Sequence, residues 1–141
     1  MKLSTKGRYG LRAMVDLAMH SNEGPVPISA IAERQALSES YLEQLMSKLK
    51  KAGLVNSIRG AQGGYTLSRG DDEISIGDIL RALEGDINPV DCSAFSTAKE
   101  SRCKNSSLCV SKYVWKRIND SIAQTVDAIT LSSLLEETKG K

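Results

Sequence analysis

The sequence contains few aromatic residues, which make up 4% of its 141 positions, and a single histidine. The sequence shows no histidine–nucleophile pair typical of an active site and no phosphate-cradling motif. We expect a protein that is not an enzyme. His20, at the far end of a predicted helix, is interpreted as an ordinary surface residue outside any site.

Long apolar runs are also absent. None approaches the roughly 20 residues that a membrane span requires, and the basic residues 1–10 have no apolar stretch behind them. We expect a cytoplasmic protein without membrane partners. The three cysteines are an odd number, which fits a secreted disulfide framework poorly and a reduced site better.

Charge is distributed unevenly along the chain. Residues 1–70 hold ten Lys or Arg against five Asp or Glu, whereas residues 71–141 hold nine against twelve. A basic half joined to an acidic half suits a protein of which one end neutralises phosphates. On charge alone, ordinary variation of the protein surface explains this asymmetry equally well.

Apolar residues spaced three and four apart predict a helix from Thr5 to about His20. A second short helix is predicted over residues 28–35, with Ser29 as its cap. A third begins at the N-cap Ser38 and ends at Gly53. Two short helices joined by a tight turn are typical of a helix-turn-helix.

A β-hairpin is predicted next, with strands over residues 54–58 and 65–67 and a glycine-containing turn between them. This hairpin is the wing of a winged helix-turn-helix. The predicted fold is mainly α with a small β-wing. Beyond the wing we expect a helix over residues 76–83, a polar stretch over 89–109, a long helix from 110 to about 128, a short helix over 131–135 capped by Thr130, and a frayed tail over 136–141.

The third helix combines an apolar back face with short polar residues near its start, as a recognition helix requires. Gln44 can pair with adenine, Ser40 can donate or accept, and Lys48 suits phosphate. Glu43 either excludes wrong sequences or is a solvated charge. The predicted DNA contacts of this helix are Ser38, Ser40, Tyr41, Glu43, Gln44 and Lys48.

The wing and the first helix extend this candidate DNA-binding surface. Arg59 at the hairpin tip suits the minor groove, and Gln62 adds a contact there. The backbone can approach phosphate at three glycines, Gly60, Gly63 and Gly64. The alternative is that these glycines form only a tight hairpin that does not contact DNA. Phosphate contacts, or simply surface solubility, are predicted for the start of the first helix at Lys2, Ser4, Lys6, Arg8, Tyr9 and Arg12.

The segments KGRYGLRAM, SESYLEQLMSKLKKAGLV and SIRGAQGGYTL resemble the winged-helix regulator family that includes IscR, NsrR, RirA and CymR. The resemblance runs over nearly the whole chain. It implies a homodimer whose long helices, here residues 110–128, cross and place two recognition helices in successive major grooves of double-stranded promoter DNA. The chain then divides into a DNA-binding region (1–70), a linker and short helix (71–89), a cysteine-bearing loop (90–109) and a dimerisation region (110–141).

All three cysteines fall within eighteen residues, at Cys92, Cys103 and Cys109. Iron prefers soft thiolate ligands, and a loop can wrap a cluster. The resemblance implies that these residues are ligands of an iron-sulfur cluster, a [2Fe-2S] centre first and a [4Fe-4S] centre as the alternative. Zinc and free thiols are the other interpretations.

A fourth ligand is not evident from the sequence. Some family members use a histidine three residues after the last cysteine, where this chain has Lys112, and others use an N-terminal aspartate, where it has Arg8. Asp91, Glu100, a residue of the partner subunit or solvent remain as candidates.

The leading hypothesis is a dimeric repressor or dual regulator that senses iron-sulfur cluster status, controls cluster-biogenesis genes and contacts assembly proteins. A second is a cluster-free regulator of cysteine or sulfur metabolism that responds to a protein partner or to thiol redox state. A third is an electron-transfer or cluster-delivery protein, for which failure to bind promoter DNA at any salt concentration would be diagnostic.

Overall fold

The computed structural model describes residues 3–87 and 111–139. Within these residues the chain forms six helices and one two-stranded antiparallel sheet, with single turns of 3-10 helix at Ser21–Glu23 and Asp71–Glu73. The predicted winged helix-turn-helix with a long C-terminal helix is confirmed. The elements are α1 Thr5–His20, α2 Ile28–Gln35, α3 Glu39–Lys51, β1 Val55–Ile58, β2 Gly64–Leu67, α4 Ile76–Glu84, α5 Lys112–Ala128 and α6 Leu131–Lys139.

The helix starts confirm one predicted cap and correct another. Ser38 caps α3 as predicted, since its Oγ accepts from Tyr41 N at 3.2 Å. The prediction of Ser29 as the cap of α2 is wrong. Pro27 occupies the cap position with φ −64°, no side chain caps this helix, and Ser29 already lies in its first turn. Proline suits this place because its fixed φ matches a helix start and it needs no amide partner.

The turn between α2 and α3 is tight. Ala36 adopts a left-handed conformation with φ 55°, the one non-glycine residue with positive φ in the described parts of the chain. Its amide donates to Glu33 O at 3.3 Å, and Leu37 N donates to Ala32 O at 2.9 Å. These bonds close the end of α2 and fix the direction in which α3 begins.

A single apolar core contains residues of the helices α1, α2, α3 and α4 and of the start of α6. Its largest fully buried side chains include Met14, Leu17, Leu42, Leu45, Met46, Leu49, Ile79 and Leu131. Residues before and after position 70 therefore share one core. No helix in residues 3–87 or 111–139 is long and apolar enough to cross a membrane.

The wing is the β1–β2 hairpin, paired from Val55 with Leu67 to Ile58 with Gly64. Val26 adds a two-way backbone bridge to Tyr65, at 3.0 Å and 2.8 Å. Gly64, predicted in the turn, instead opens β2, and a Cβ at this position would overlap the Val26 backbone. The glycine thus lets the wing pack against the start of α2.

The C-terminal helices differ in how they are packed. Along α5 no residue is fully buried, and Tyr113, Val114 and Ile118 are 65%, 55% and 38% exposed. By contrast, α6 packs its leucines on the core and continues to Lys139, so the predicted frayed tail is wrong over residues 136–139. Thr130 caps α6 as predicted, because its Oγ1 accepts from Ser133 N at 3.2 Å.

Candidate nucleic-acid interface

Helix α3, the predicted recognition helix, turns a polar face to solvent. Leu42, Leu45, Met46 and Leu49 are buried, while Ser40, Glu43 and Gln44 are exposed as predicted. Ser47 and Lys51 are also exposed and lie opposite the buried row, although they were not among the predicted contacts. Their spacing of seven and eleven residues from Ser40 could have identified them, since such positions share one helix face.

Two predicted phosphate contacts, Lys6 of α1 and Lys48 of α3, lie beside each other. The Lys6 ammonium lowers the pKa of Lys48 below its ordinary value, with a small contribution from Lys51. Like charges held this close repel each other, and an anion placed between them relieves the repulsion. The pair opens into a cleft of about 720 Å³ that Lys51 and Arg81 also line. Glu84 lines it as well, but the four cations outnumber this carboxylate and make the cleft a candidate phosphate site.

The predicted contact Ser4 is engaged within the protein. Its Oγ accepts from Lys6 N at 3.1 Å, and its hydroxyl donates to the Glu84 carboxylate of α4. Glu84 Oε1 also accepts from Ser4 N at 3.2 Å and from Gly7 N at 2.7 Å. Burial raises the pKa of Glu84, but these donors and the nearby Lys6 outweigh it and hold the pKa below its ordinary value. A carboxylate of the chain itself therefore occupies the amides at the start of α1.

Tyr9 and Tyr41, both predicted DNA contacts, form a half-buried aromatic pair. Their rings meet edge-on at 6.2 Å and 83°, and Tyr41 Oη donates to Thr5 Oγ1 at 3.2 Å. The Arg12 guanidinium lies 5.3 Å from the centre of the Tyr9 ring. These contacts join the first turn of α3 to the outer face of α1.

The wing tip presents Arg59, Gly60 and Gln62 to solvent, as predicted. Gly60 has φ 114°, a conformation that favours glycine, and its carbonyl accepts from Gly63 N at 3.0 Å. A Cβ at Gly63 would overlap the Ile58 carbonyl, so this glycine serves the turn itself. Arg59 and Gln62 are the side chains that remain available to a ligand here.

A hydrogen bond connects α3 to the wing: Lys50 Nζ donates to Ser57 Oγ of β1 at 2.7 Å. Together with the hydrogen bond from Tyr41 to Thr5, it links the exposed faces of α1, α3 and the wing into one continuous surface. Lys2 and the three cysteines lie outside the described residues. Within residues 3–87 and 111–139, no group of three or more His, Cys, Asp or Glu side chains could hold a metal ion.

Sequence comparison then decides the family. The Rrf2 family, described as an iron-dependent transcriptional regulator, matches residues 3–137. The chain belongs to the Rrf2 family of transcriptional regulators. It is 42% identical to the HTH-type transcriptional regulator IscR of Aliivibrio salmonicida, over 99% of this chain and 80% of that protein. It is 46% identical to the HTH-type transcriptional regulator CymR of Bacillus subtilis, over 100% of this chain and 94% of that protein.

Solved structures of Rrf2 proteins have the same fold. T. potens IscR superposes with a TM-score of 0.77 at 48% identity, covering 98% of this chain and 88% of that one. The structure titled as CymR, the global cysteine regulator of B. subtilis, gives 0.77 at 45% identity, covering 97% and 98%. The predicted resemblance is thus confirmed. Similarity to the two branches is nearly equal, so it does not separate cluster sensing from the cysteine-regulator alternative.

Proposed function

We propose that this Rrf2 protein binds promoter DNA in a sequence-specific manner as a homodimer and acts as a repressor or dual regulator. The observation that supports this best is the continuous surface of α1, α3 and the wing. It exposes short polar side chains at its centre and cations at its margins. Phosphate contacts position such a protein on the duplex, and base contacts select the sequence.

The proposed contacts follow from exposure. Ser40 and Gln44 face the base edges of the major groove. Glu43 weakens binding to sequences that place no cytosine amino group within its reach. Lys6 and Lys48 neutralise a phosphate on one side of α3. Arg59 of the wing enters the minor groove on the other side.

A second copy of the chain covers α5 in this proposal. The helix is seventeen residues long and has no fully buried side chain. Its exposed aromatic and aliphatic residues form a patch that soluble monomers rarely leave uncovered. Two recognition helices related by a twofold axis would then select a near-palindromic site.

The signal is proposed to arrive at residues 90–109. Cys92, Cys103 and Cys109 would hold an iron-sulfur cluster, because their soft thiolates supply three of the four ligands that such a cluster commonly takes. A bound cluster would make this segment responsive to iron supply and oxidation. Genes for cluster biogenesis are the proposed targets, and assembly proteins are the proposed further partners.

Helix α4 can carry that signal to the DNA surface, because it touches both sides. Toward α5, Arg81 makes a two-pronged salt bridge with Asp127, with nitrogen–oxygen distances of 2.6 Å and 3.0 Å. Toward α1, Glu84 binds the first turn, and a Cβ at Gly10 would overlap the Leu83 side chain. A shift of α4 therefore moves the start of α1, where the phosphate-binding cleft lies.

One observation favours the cluster-free alternative, in which thiol redox state or a protein partner of cysteine metabolism gives the signal. Lys112 Nζ lies 5.2 Å from the centre of the Tyr113 ring. Lysine is also not among the usual ligands of iron-sulfur clusters, which are held by Cys and His side chains. Lysine at the position that other family members fill with histidine therefore argues against a fourth cluster ligand there.

DNA binding is tested by selection from a random duplex library with the purified full chain. We expect enrichment of one near-palindromic sequence. The Ser40→Ala/Gln44→Ala variant should lose the enrichment but still bind duplex DNA nonspecifically. By contrast, Lys139→Gln, which changes an exposed residue at the end of α6, should behave as wild type. No enriched sequence with wild type would contradict the proposal.

The signal is tested by absorption spectroscopy with iron and sulfide analysis on protein purified without oxygen. The cluster proposal predicts thiolate-to-iron bands that vanish in the Cys92→Ala/Cys103→Ala/Cys109→Ala variant. A colourless, iron-free wild type that still selects an operator would contradict the cluster and support the cysteine-regulator alternative.

A further inference from the structure

Asp16, one turn before the end of α1, is the one buried charged side chain in the described parts of the chain, with 3% exposure. An unpaired carboxylate in such a place is costly, so its partners indicate what it holds. Arg34 donates to both carboxylate oxygens, at 2.7 Å and 2.9 Å for the closest contacts, and Gln35 Nε2 donates to Oδ2 at 2.9 Å. His20 Nδ1 lies 3.6 Å from Oδ1.

Arg34 and Gln35 form the last turn of α2, directly before the left-handed Ala36. Charge-assisted, two-pronged bonds between guanidinium and carboxylate restrict both distance and angle. Asp16 therefore fixes the end of α2 against α1 at the point where the chain turns into the recognition helix.

The network continues to the DNA surface. Gln35 Oε1 accepts from Arg12 Nε, and Gln35 O accepts from Arg12 Nη2, both at 3.0 Å. Arg12 lies on the Tyr9 ring, which meets Tyr41 in the first turn of α3. A continuous set of contacts thus runs from the buried carboxylate to the start of α3 and leaves Arg12 exposed in a restrained orientation.

We propose that Asp16 is a positioning residue for DNA recognition: through Gln35 and Arg12 it sets the placement of α3, on which base selectivity depends. This inference rests on the proposed function. Misplacing a recognition helix by a fraction of an ångström weakens base contacts, which need defined geometry, more than contacts to phosphate, which act through charge. Loss of Asp16 should therefore reduce discrimination between sequences more than general DNA affinity.

The test compares the affinities of full-length wild type, Asp16→Asn and Gln35→Ala for the selected operator and for a scrambled duplex, at one salt concentration. Both variants should lower the operator-to-scrambled ratio by about tenfold, the size of one good base contact, and change scrambled-duplex affinity by less than about twofold. Glu33→Gln, exposed on α2, is the matched control for the loss of a carboxylate charge.

Gln35→Ala retains the Asp16–Arg34 pair, so it keeps the test decisive if Asp16→Asn folds poorly. A purely structural role would lower the affinities for operator and scrambled duplex alike, whereas the proposed positioning role lowers their ratio. Because Gln35 and Arg12 act in one network, the Gln35→Ala/Arg12→Ala double variant should have a ratio no lower than that of the single variant with the larger effect. If wild type prefers the operator and Asp16→Asn and Gln35→Ala prefer it equally strongly, this inference is overturned and the proposed function stands. A wild type without sequence preference would instead overturn the proposed function.

Discussion

Replacing Lys48 by Gln provides a quantitative test of the proposed phosphate-binding cleft. Lys48 lies beside Lys6, and the lowered pKa of Lys48 reports their repulsion. Each phosphate that a protein neutralises contributes about 0.9 to the slope of log affinity against log salt concentration. A homodimer carries the change twice, so Lys48→Gln should reduce the slope by about 1.8.

Fluorescence anisotropy with a labelled operator duplex measures this slope directly. Between about 50 and 200 mM salt, the affinity advantage of wild type over the variant should shrink by about tenfold. Lys139→Gln removes the same charge from α6, which packs near the far end of α1, and should leave the slope unchanged. An unchanged slope for Lys48→Gln, or an equal fall for Lys139→Gln, would refute the assignment of phosphate binding to this cleft.

Three further predictions concern α1 and its contacts with α4. Gly10→Val should lower the free energy of unfolding by about 1–3 kcal/mol in denaturant titration, because the added side chain overlaps Leu83; an unchanged midpoint would contradict the tight packing of α1 on α4. Arg81→Met breaks an exposed ion pair with Asp127, so it should lower the free energy of unfolding by less than about 1 kcal/mol. Introduced into both the wild-type chain and the triple-cysteine variant, it should nevertheless reduce the difference between their operator affinities. Burial raises the pKa of Asp16, but the hydrogen bonds from Arg34 and Gln35 and the positive charge of Arg34 hold this pKa below its ordinary value of 3.8. The ionised carboxylate therefore contributes fully to stability above that pH, and the contribution is lost as the pH falls through the lower pKa of the folded state. Asp16→Asn should flatten the acid limb of a curve of unfolding free energy against pH, and an unchanged limb would count against the pairing.

The helices and the wing could be predicted because their signals are local. The buried row of α3 repeats at helical spacing, and Ser38 is a typical cap. Ser29 was placed wrongly as a cap because residue preference alone ignored Pro27, which sets where α2 starts. The polar sequence from Glu136 to Lys141 predicts a frayed tail, because it does not show that the preceding leucines anchor the helix on the core.

The networks behind the interface depend on tertiary contacts, and a single sequence does not display them. Asp16 meets its partners eighteen and nineteen residues away, and Glu84 meets the start of α1 nearly eighty residues away. One signal was available: Asp16 stands between Ala13 and Leu17 on the apolar face of α1, where a charge requires a partner. The roles assigned to Ser40, Gln44 and the cysteines remain predictions.

The most direct test of sequence-specific DNA binding is the ratio of two affinities, for the selected operator and for a scrambled duplex of equal length, at physiological salt. The account predicts a ratio of at least about 10³ for wild type, as is typical of specific DNA-binding proteins. A ratio near one, with both duplexes bound only at low salt, would contradict it.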